Sequence, residues 1–263
     1  MKNPLLSLAP SDLRVLADAL ASGRLAPPYL ALSLQRVASS AAVGTLATSL
    51  QELENSGISP QGLSRVLELL ADSAAARPPL EDLIELVTTS PDCAAAAGRD
   101  TSVVVRDLFH NATDSVVVVG YAVHQGQRVF EVLARRMIEC PQLFVRMYLD
   151  IQRSAGDTSA PSELVARFVH NFRTHQWPVG SRLPEVFYDA RSLEFDRTKA
   201  AALHAKCVVV DNSELFVSSA NFTEAAQHKN IEVGLLMRSS ILAEHLLSFL
   251  SQLVEAGLFQ QAL

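Results

Sequence analysis

His204, Lys206, Asp211, Ser219 and Asn221 fall within one short stretch of a 263-residue chain, at spacings that phosphoryl-transfer chemistry can use. With ~5% occupancy at each fixed position, the five arise together by chance with a probability on the order of one in ten thousand. The chemistry such a set supports is covalent catalysis on a phosphodiester. A neutral imidazole attacks phosphorus and forms a phosphohistidine, which splits one hard displacement into two easier ones. An ammonium and a side-chain amide hold the non-bridging oxygens, whose charge must be stabilised through the transition state. The scheme requires no metal and no cofactor. The departing alkoxide needs a proton and a water must later lose one, so a second acid/base group is expected beside the first.

The local pattern places these side chains. His204 and Lys206 stand two apart in a β-type run and project from one face of it. The apolar residues 207–210 bury that strand, Asp211, Asn212 and Ser213 supply turn chemistry, and Leu215, Phe216 and Val217 restart an extended run. A hairpin with a two- or four-residue loop centred on Asn212 and Ser213 sets Lys206 opposite Ser219 and His204 opposite Asn221, all on one face. A further strand over 231–236 carries Glu232 as its one charge, an acid suited to orienting the His204 imidazole.

This set resembles the signature of the phospholipase D superfamily. Here it reads His204-x-Lys206, four residues, Asp211, then Ser218-Ser219-x-Asn221 where the family has Gly-Ser-x-Asn. The resemblance implies that His204 is the nucleophile, that Lys206, Ser219 and Asn221 bind phosphate, and that Glu232 orients the histidine. It also implies that Asp211 completes the motif by bracing its loop through backbone contacts. Ser218 replaces the family's glycine, and its Cβ is expected to crowd a close backbone approach. Superfamily members acting on lipids mostly carry two copies of the signature. This chain carries one, because His110, His124, His170, His175, His228 and His245 all lack a lysine two residues on. The second acid/base group is therefore expected from the His204 of a second subunit across a two-fold axis, which makes the protein a homodimer. The single-motif pattern resembles small bacterial nucleases of the superfamily, so the implied substrate is a DNA or RNA phosphodiester.

The elements that must position the motif are legible around it. Residues 115–123 form a near-continuous apolar run, expected as a strand buried on both faces, and Gly126 marks a break. Residues 127–139 read as one helix with Val129, Phe130, Leu133, Ala134 and Met137 on a single stripe. A second strand over 143–149 then gives a right-handed βαβ unit with parallel strands. A helix over 162–175, a strand over 184–190 and an amphipathic helix over 241–253 complete this region. The first ninety or so residues differ in kind. Leu13, Leu16, Ala17 and Leu20, and again Leu63, Val66, Leu67 and Leu70, repeat at helical spacing between glycine and proline breaks. The expected fold class is α/β, a phospholipase D-like sheet flanked by helices and preceded by an all-helical N-terminal segment. The boundary is expected within 90–100, giving a helical region 1–95 and a catalytic domain 96–263. A helical segment containing Gly23, Arg24, Leu25, Ala26, Pro27 and Pro28 ahead of one motif resembles the phospholipase D-like component of DISARM bacterial phage-defence systems. That resemblance implies a role beside a helicase and a methyltransferase in restricting foreign DNA, with the N-terminal helices docking other defence-system proteins.

At 49% hydrophobic and 19% charged residues, the composition is that of a globular protein of one or two domains. No apolar run approaches the ~18 residues of a membrane-spanning helix and the amino terminus lacks a basic-then-apolar signal, so a cytoplasmic protein without a membrane partner is expected. Cys93, Cys140 and Cys207 lack Cys-x-x-Cys spacing and read as reduced, buried thiols. A net charge of −6 weighs against a nucleic-acid partner, but it is unevenly spread. Residues 1–95 hold six Lys or Arg against ten Asp or Glu, whereas residues 128–206 hold twelve against nine. Arg135, Arg136, Arg146, Arg153, Arg167, Arg173, Arg182, Arg191, Arg197 and Lys199 belong to that excess and can follow a phosphate backbone, though any one of them is better read as solvated surface. His170 and His175, five apart on a helix, do not face a common metal. His124 and Trp177 read as loop or core side chains rather than substrate contacts. Three functions remain in contention: a metal-independent nuclease, a lipid phosphodiesterase or transferase, and a catalytically weak binding or assembly module.

Overall fold

The N-terminal helices form where the sequence places apolar stripes between breaks. The computed structural model describes residues 3–35, 43–90, 99–121, 123–196, 198–223 and 230–263. Helix α1 (Pro10–Ala21) starts on a proline whose missing N–H costs nothing at that position, and it ends before Gly23, whose φ of 71° suits a left-handed cap. After α2 (Ala31–Gln35) and α3 (Val43–Asn55), α4 (Pro60–Ala75) is capped by the Ser59 side chain and packs along α1. Leu13, Leu16, Ala17 and Leu20 meet Leu63, Leu67 and Ala71 in one buried cluster, and the Ser64 hydroxyl donates to the Ala17 carbonyl within that seam at 2.9 Å. Val66, expected in the stripe, is 37% exposed because Leu67 and Ala71 turn the buried face of α4 the other way.

The chain divides into two compact units, 1–79 and 80–263. The expected boundary at residue 95 lies outside the described residues. The division falls earlier because, after the short α5 (Leu80–Leu83), residues assigned to the helical region instead form a strand, β1 (Ile84–Thr89), which pairs with β9 (Glu232–Arg238) from Ile84 opposite Met237 to Thr89 opposite Glu232.

The second unit is a mixed sheet between two helical layers. Helix α6 (Thr101–Asn111) precedes β2 (Ser115–Gly120), and β4 (Phe144–Leu149) and β5 (Glu185–Asp189) run parallel to β2. The hairpin β6 (Cys207–Val210) and β7 (Glu214–Ser218) joins β2 antiparallel on its other side, and β10 (Phe259–Gln261) closes the far edge. The order across the sheet is β1-β9-β7-β6-β2-β4-β5-β10, with a separate two-stranded ladder of β3 (Val123–His124) and β8 (Phe222–Thr223). Alternation in β2 splits the core. Val116 and Val118 join Phe109, Phe130, Met147 and Trp177 on one face, and Val117 and Val119 join Tyr148, Val209, Leu215 and Ala243 on the other. Helix α10 (Ser240–Glu255) covers that second face through Ala243 and Leu250.

The run expected as one strand over 115–123 is therefore two strands. The single helix expected over 127–139 is broken at Phe130 into α7 (Gly126–Val129) and α8 (Glu131–Glu139). Gly126 starts a helix rather than ending a strand, since a Cβ there would meet the Gln176 carbonyl oxygen at 2.5 Å. Helix α9 (Pro161–Asn171) continues as a π turn over Phe172–Gln176. Trp177 is buried on Phe172 and Phe130 and donates to the Arg182 carbonyl at 3.0 Å, so it belongs to the core. Among the described residues, no helix is long and apolar enough to cross a membrane.

Candidate active site

Sheet direction brings the motif to an open edge. Val119 of β2 pairs with Cys207 at the start of β6, so the residues just before Cys207 emerge at the carboxyl ends of the parallel strands, where open α/β sheets place their sites. His204 is exposed there. Lys206 is buried to 8% exposure, and its ammonium donates to the His204 carbonyl at 2.8 Å and lies 3.3 Å from each imidazole nitrogen. The Tyr121 ring packs on both, with its centroid 4.7 Å from that of His204 and 5.4 Å from the Lys206 nitrogen. Burial pushes the Lys206 ammonium below its ordinary value, opposed chiefly by the charge of Glu232.

The hairpin register differs from the expected one. Cys207 pairs with Val217 and Val210 with Glu214, so the loop has three residues and Lys206 lies level with Ser218 rather than Ser219. Asp211 and Asn212 both take left-handed φ angles, 50° and 52°, which such a turn needs and which Asp and Asn tolerate. A one-residue change of register would move Ser219 to the wrong face. Beyond Ser218 the chain leaves the β6 ladder: the Ser218 hydroxyl accepts from the Ala220 N–H at 3.0 Å, turning the strand, while the Ser219 N–H donates to the Val233 carbonyl and its side chain turns away from the cleft to Glu232. Ser218, Ala220 and Asn221 then line a narrow cleft with Lys206 and with Thr101 and Val105 of α6. The Asn221 side-chain oxygen is buried in it without a hydrogen-bond partner among the described residues. Ser218 pairs with Gly234, and a Cβ at 234 would meet the Phe216 ring at 2.8 Å, so the glycine that gives this corner room stands on the neighbouring strand.

Glu232 is buried beside Lys206, but its hydrogen bonds come from elsewhere. The Ser219 hydroxyl donates to one carboxylate oxygen and the Asn230 amide to the other at 3.1 Å, where the sequence expectation gave Glu232 the histidine. Asp211 does not join the cluster. At the opposite end of β6 its carboxylate accepts from the N–H groups of Thr113, Asp114 and Ser115 at 2.9, 2.8 and 2.9 Å and from the Thr113 hydroxyl at 2.9 Å. Burial raises its pKa, and these four donors outweigh that and hold the carboxyl below its ordinary value.

Two neighbours of His204 were not anticipated, Tyr121 and Asp150. Asp150 ends the run of β4 and accepts the Leu203 N–H at 3.0 Å, holding the backbone one residue before the histidine. A charged residue closing an apolar strand at the sheet's carboxyl edge was the signal for it. The arginines expected to follow a phosphate backbone are mostly engaged within the chain. Arg135 pairs with Glu131, Arg146 with Glu185, Arg167 with Asp157 and Arg191 with Asp189, while Arg136, Arg153 and Arg182 donate to backbone carbonyls. Cys207 is buried, Cys140 is half-buried rather than buried, and Cys93, Arg197 and His228 lie outside the described residues. The same holds for the side chain of His124, whose backbone forms β3.

The cleft thus presents lysine, asparagine and an adjacent exposed histidine at the carboxyl edge of a mixed sheet. Residues 105–254 match the family model described as cardiolipin synthase, PLD-like domain, and the chain belongs to that family. The DISARM protein DrmC of Bacillus paralicheniformis is 30% identical over 156 residues, which are 59% of this chain and 56% of DrmC. The chain thus spans about half the length of the curated relative it matches. Nuc from Salmonella typhimurium, a phospholipase D family member of known crystal structure, is 18% identical with a TM-score of 0.42, covering 68% of this chain and 96% of Nuc. NucT from Helicobacter pylori is 12% identical with a TM-score of 0.44, covering 65% and 96%.

Proposed function

We propose that the protein is a cytoplasmic, metal-independent phosphodiesterase of the nuclease type that acts in bacterial antiviral defence. It cuts DNA or RNA through a phosphohistidine at His204 and works as a homodimer. The observation that carries this reading is the Lys206 ammonium held against the His204 ring at the mouth of a cleft lined by Asn221. The imidazole nitrogen forms a bond to phosphorus as the bond to the leaving oxygen breaks, and that oxygen takes a proton from the second subunit's His204. The same second imidazole then takes a proton from water, whose oxygen displaces His204 from phosphorus. Lys206 and Asn221 hold the non-bridging oxygens throughout, and Ser219 and Glu232 fix the corner that carries Asn221. Asp211 braces the hairpin. The DrmC likeness supports the defence role, and in this reading the N-terminal helices dock other defence-system proteins.

The test is cleavage of labelled single-stranded and duplex DNA, and of RNA, in excess EDTA by wild type and His204→Ala, with the oligomeric state of both measured. EDTA-resistant cutting by a dimer, lost in the variant, is the expected result. A second reading, a catalytically silent phosphate-binding or assembly module, draws on one observation: Glu232 is engaged by Ser219 and Asn230 instead of the histidine. Tight oligonucleotide binding by a folded dimer that cuts nothing would favour it.

A further inference from the structure

Beside His204 lies a cavity of about 490 Å³, within the size range of small-molecule sites. Its walls are the Tyr121 ring, Asp150, Gln152, Arg153, Ser192 and the small side chains of 200–202, which lead directly into Leu203 and His204. Tyr121 therefore faces the cavity and the His204 ring at once. Arg153 is 5% exposed and built in: it donates to the carbonyls of Leu193, Asp157 and Ser159 at 2.8, 2.9 and 2.8 Å and lies over the Phe195 ring. Asp150 is 8% exposed. One carboxylate oxygen holds the Leu203 N–H; the Gln152 side chain also acts on the carboxylate, but the second oxygen is buried without a well-formed hydrogen bond among the described residues. An unpaired buried carboxyl oxygen is costly, so this one calls for a hydrogen-bonding ligand or a proton.

We propose that this cavity is a subsite for the nucleoside flanking the scissile phosphate, with Asp150 hydrogen-bonding a sugar hydroxyl or a base edge while the phosphate stays with Lys206 and Asn221. The inference rests on the nucleic-acid reading of the site and names what the substrate presents beside the phosphate. The lining decides the ligand class. Carboxyl, amide and hydroxyl groups would strand the polar atoms that an acyl chain cannot satisfy, whereas the hydroxyls and amines of a nucleoside match them. A second phosphate is disfavoured because Asp150 would face it. Tyr121 offers a ring face on which a base can stack. Burial, the largest influence, and the nearby Asp189 raise the Asp150 pKa above its ordinary value, against the lowering influence of the Leu203 N–H, Gln152 and His204.

The experiment separates binding from cutting. A labelled single-stranded oligonucleotide and inorganic phosphate are titrated into full-length His204→Ala protein, with and without Ala201→Phe, which fills the cavity from its rim, or Asp150→Asn, which keeps the acceptor for Leu203. Ala201→Phe is expected to weaken the oligonucleotide about tenfold, the equivalent of ~1.4 kcal/mol, and to leave phosphate affinity within about twofold. Asp150→Asn changes oligonucleotide affinity in the same assay and not phosphate affinity. Unchanged oligonucleotide binding by both variants, with melting temperatures at the His204→Ala value, overturns the subsite even if wild type cuts DNA. Weakened binding with no cutting by wild type leaves the subsite standing and removes the nuclease reading instead.

Discussion

Replacing Asp211 tests whether the motif's third residue is a brace rather than a participant. Four donors converge on its carboxylate. Thr113 and Asp114 are exposed, so water replaces most of what they lose, roughly 0.5 kcal/mol per bond, whereas the half-buried Ser115 N–H to a charged acceptor is worth roughly 2 kcal/mol. Alanine at a φ of 50° adds about 1 kcal/mol of backbone strain, which asparagine largely escapes. Asp211→Ala is thus expected to cost about 4–5 kcal/mol and Asp211→Asn about 2 kcal/mol, since asparagine keeps one accepting oxygen. At roughly 2–4 °C per kcal/mol for a unit of this size, thermal melting should fall by roughly 8–20 °C and 4–8 °C respectively. Between the lowered folded pKa and the ordinary value of 3.8, the unfolded chain binds more protons than the folded one. The stabilisation is therefore complete above that window and lost as pH falls through the folded pKa, so the wild-type and Asp211→Asn melting curves converge in acid. Turnover per folded molecule at room temperature should not change, because β6 separates Asp211 from His204 by ~20 Å. A melting temperature within about 2 °C of wild type for Asp211→Ala, or turnover lost without loss of stability, would refute the argument.

The proposed catalytic cluster gives further expectations. Lys206→Met should lower kcat by about 10²–10³-fold with dimerisation unchanged, the loss typical of a removed oxyanion donor. Because burial lowers the Lys206 pKa, kcat/KM should decline as pH rises through a value below 10.5, where the ammonium loses its proton. Glu232→Gln removes a charge that supports this ammonium, so the alkaline limb should move to lower pH, and an unmoved limb would mean that Glu232 acts only through Ser219. Gly234→Ala should destabilise by about 1–3 kcal/mol, read from denaturant midpoints, because its Cβ would press on the Phe216 ring at 2.8 Å and the Val217 carbonyl at 2.9 Å.

Much of the fold was legible because its periodicities are unambiguous. Val116 to Val119 are buried on both faces as an unbroken apolar run implies, and β2 and β4 pair in parallel as a crossover helix between them requires. What escaped was decided by tertiary pairing. Residues 84–89 carry the β-branched character of a strand, but their place beside β9 depends on a partner almost 150 residues later, and they lay inside a region dominated by leucine-rich helices. The helix is broken at Phe130, and Gly126 at its start packs closely under the Gln176 carbonyl, neither of which the local pattern shows.

The site shows the same division at higher resolution. His204 and Lys206 were read as part of a strand, but β6 begins only at Cys207, and the Lys206 ammonium reaches the His204 ring from the segment just before it. The loop length was not fixed: Asp211, Asn212 and Ser213 suit two-, three- and four-residue turns alike, and only the ladder from Cys207 opposite Val217 selects three. That single residue changes which serine faces Lys206 and sends Ser219 to Glu232 instead. The motif therefore works through a bend as well as a strand, with the Ser218 hydroxyl on the Ala220 N–H making the turn that returns Asn221 to the cleft. A glycine at position 218 would leave that bend to the backbone alone. Here the serine hydroxyl supplies it.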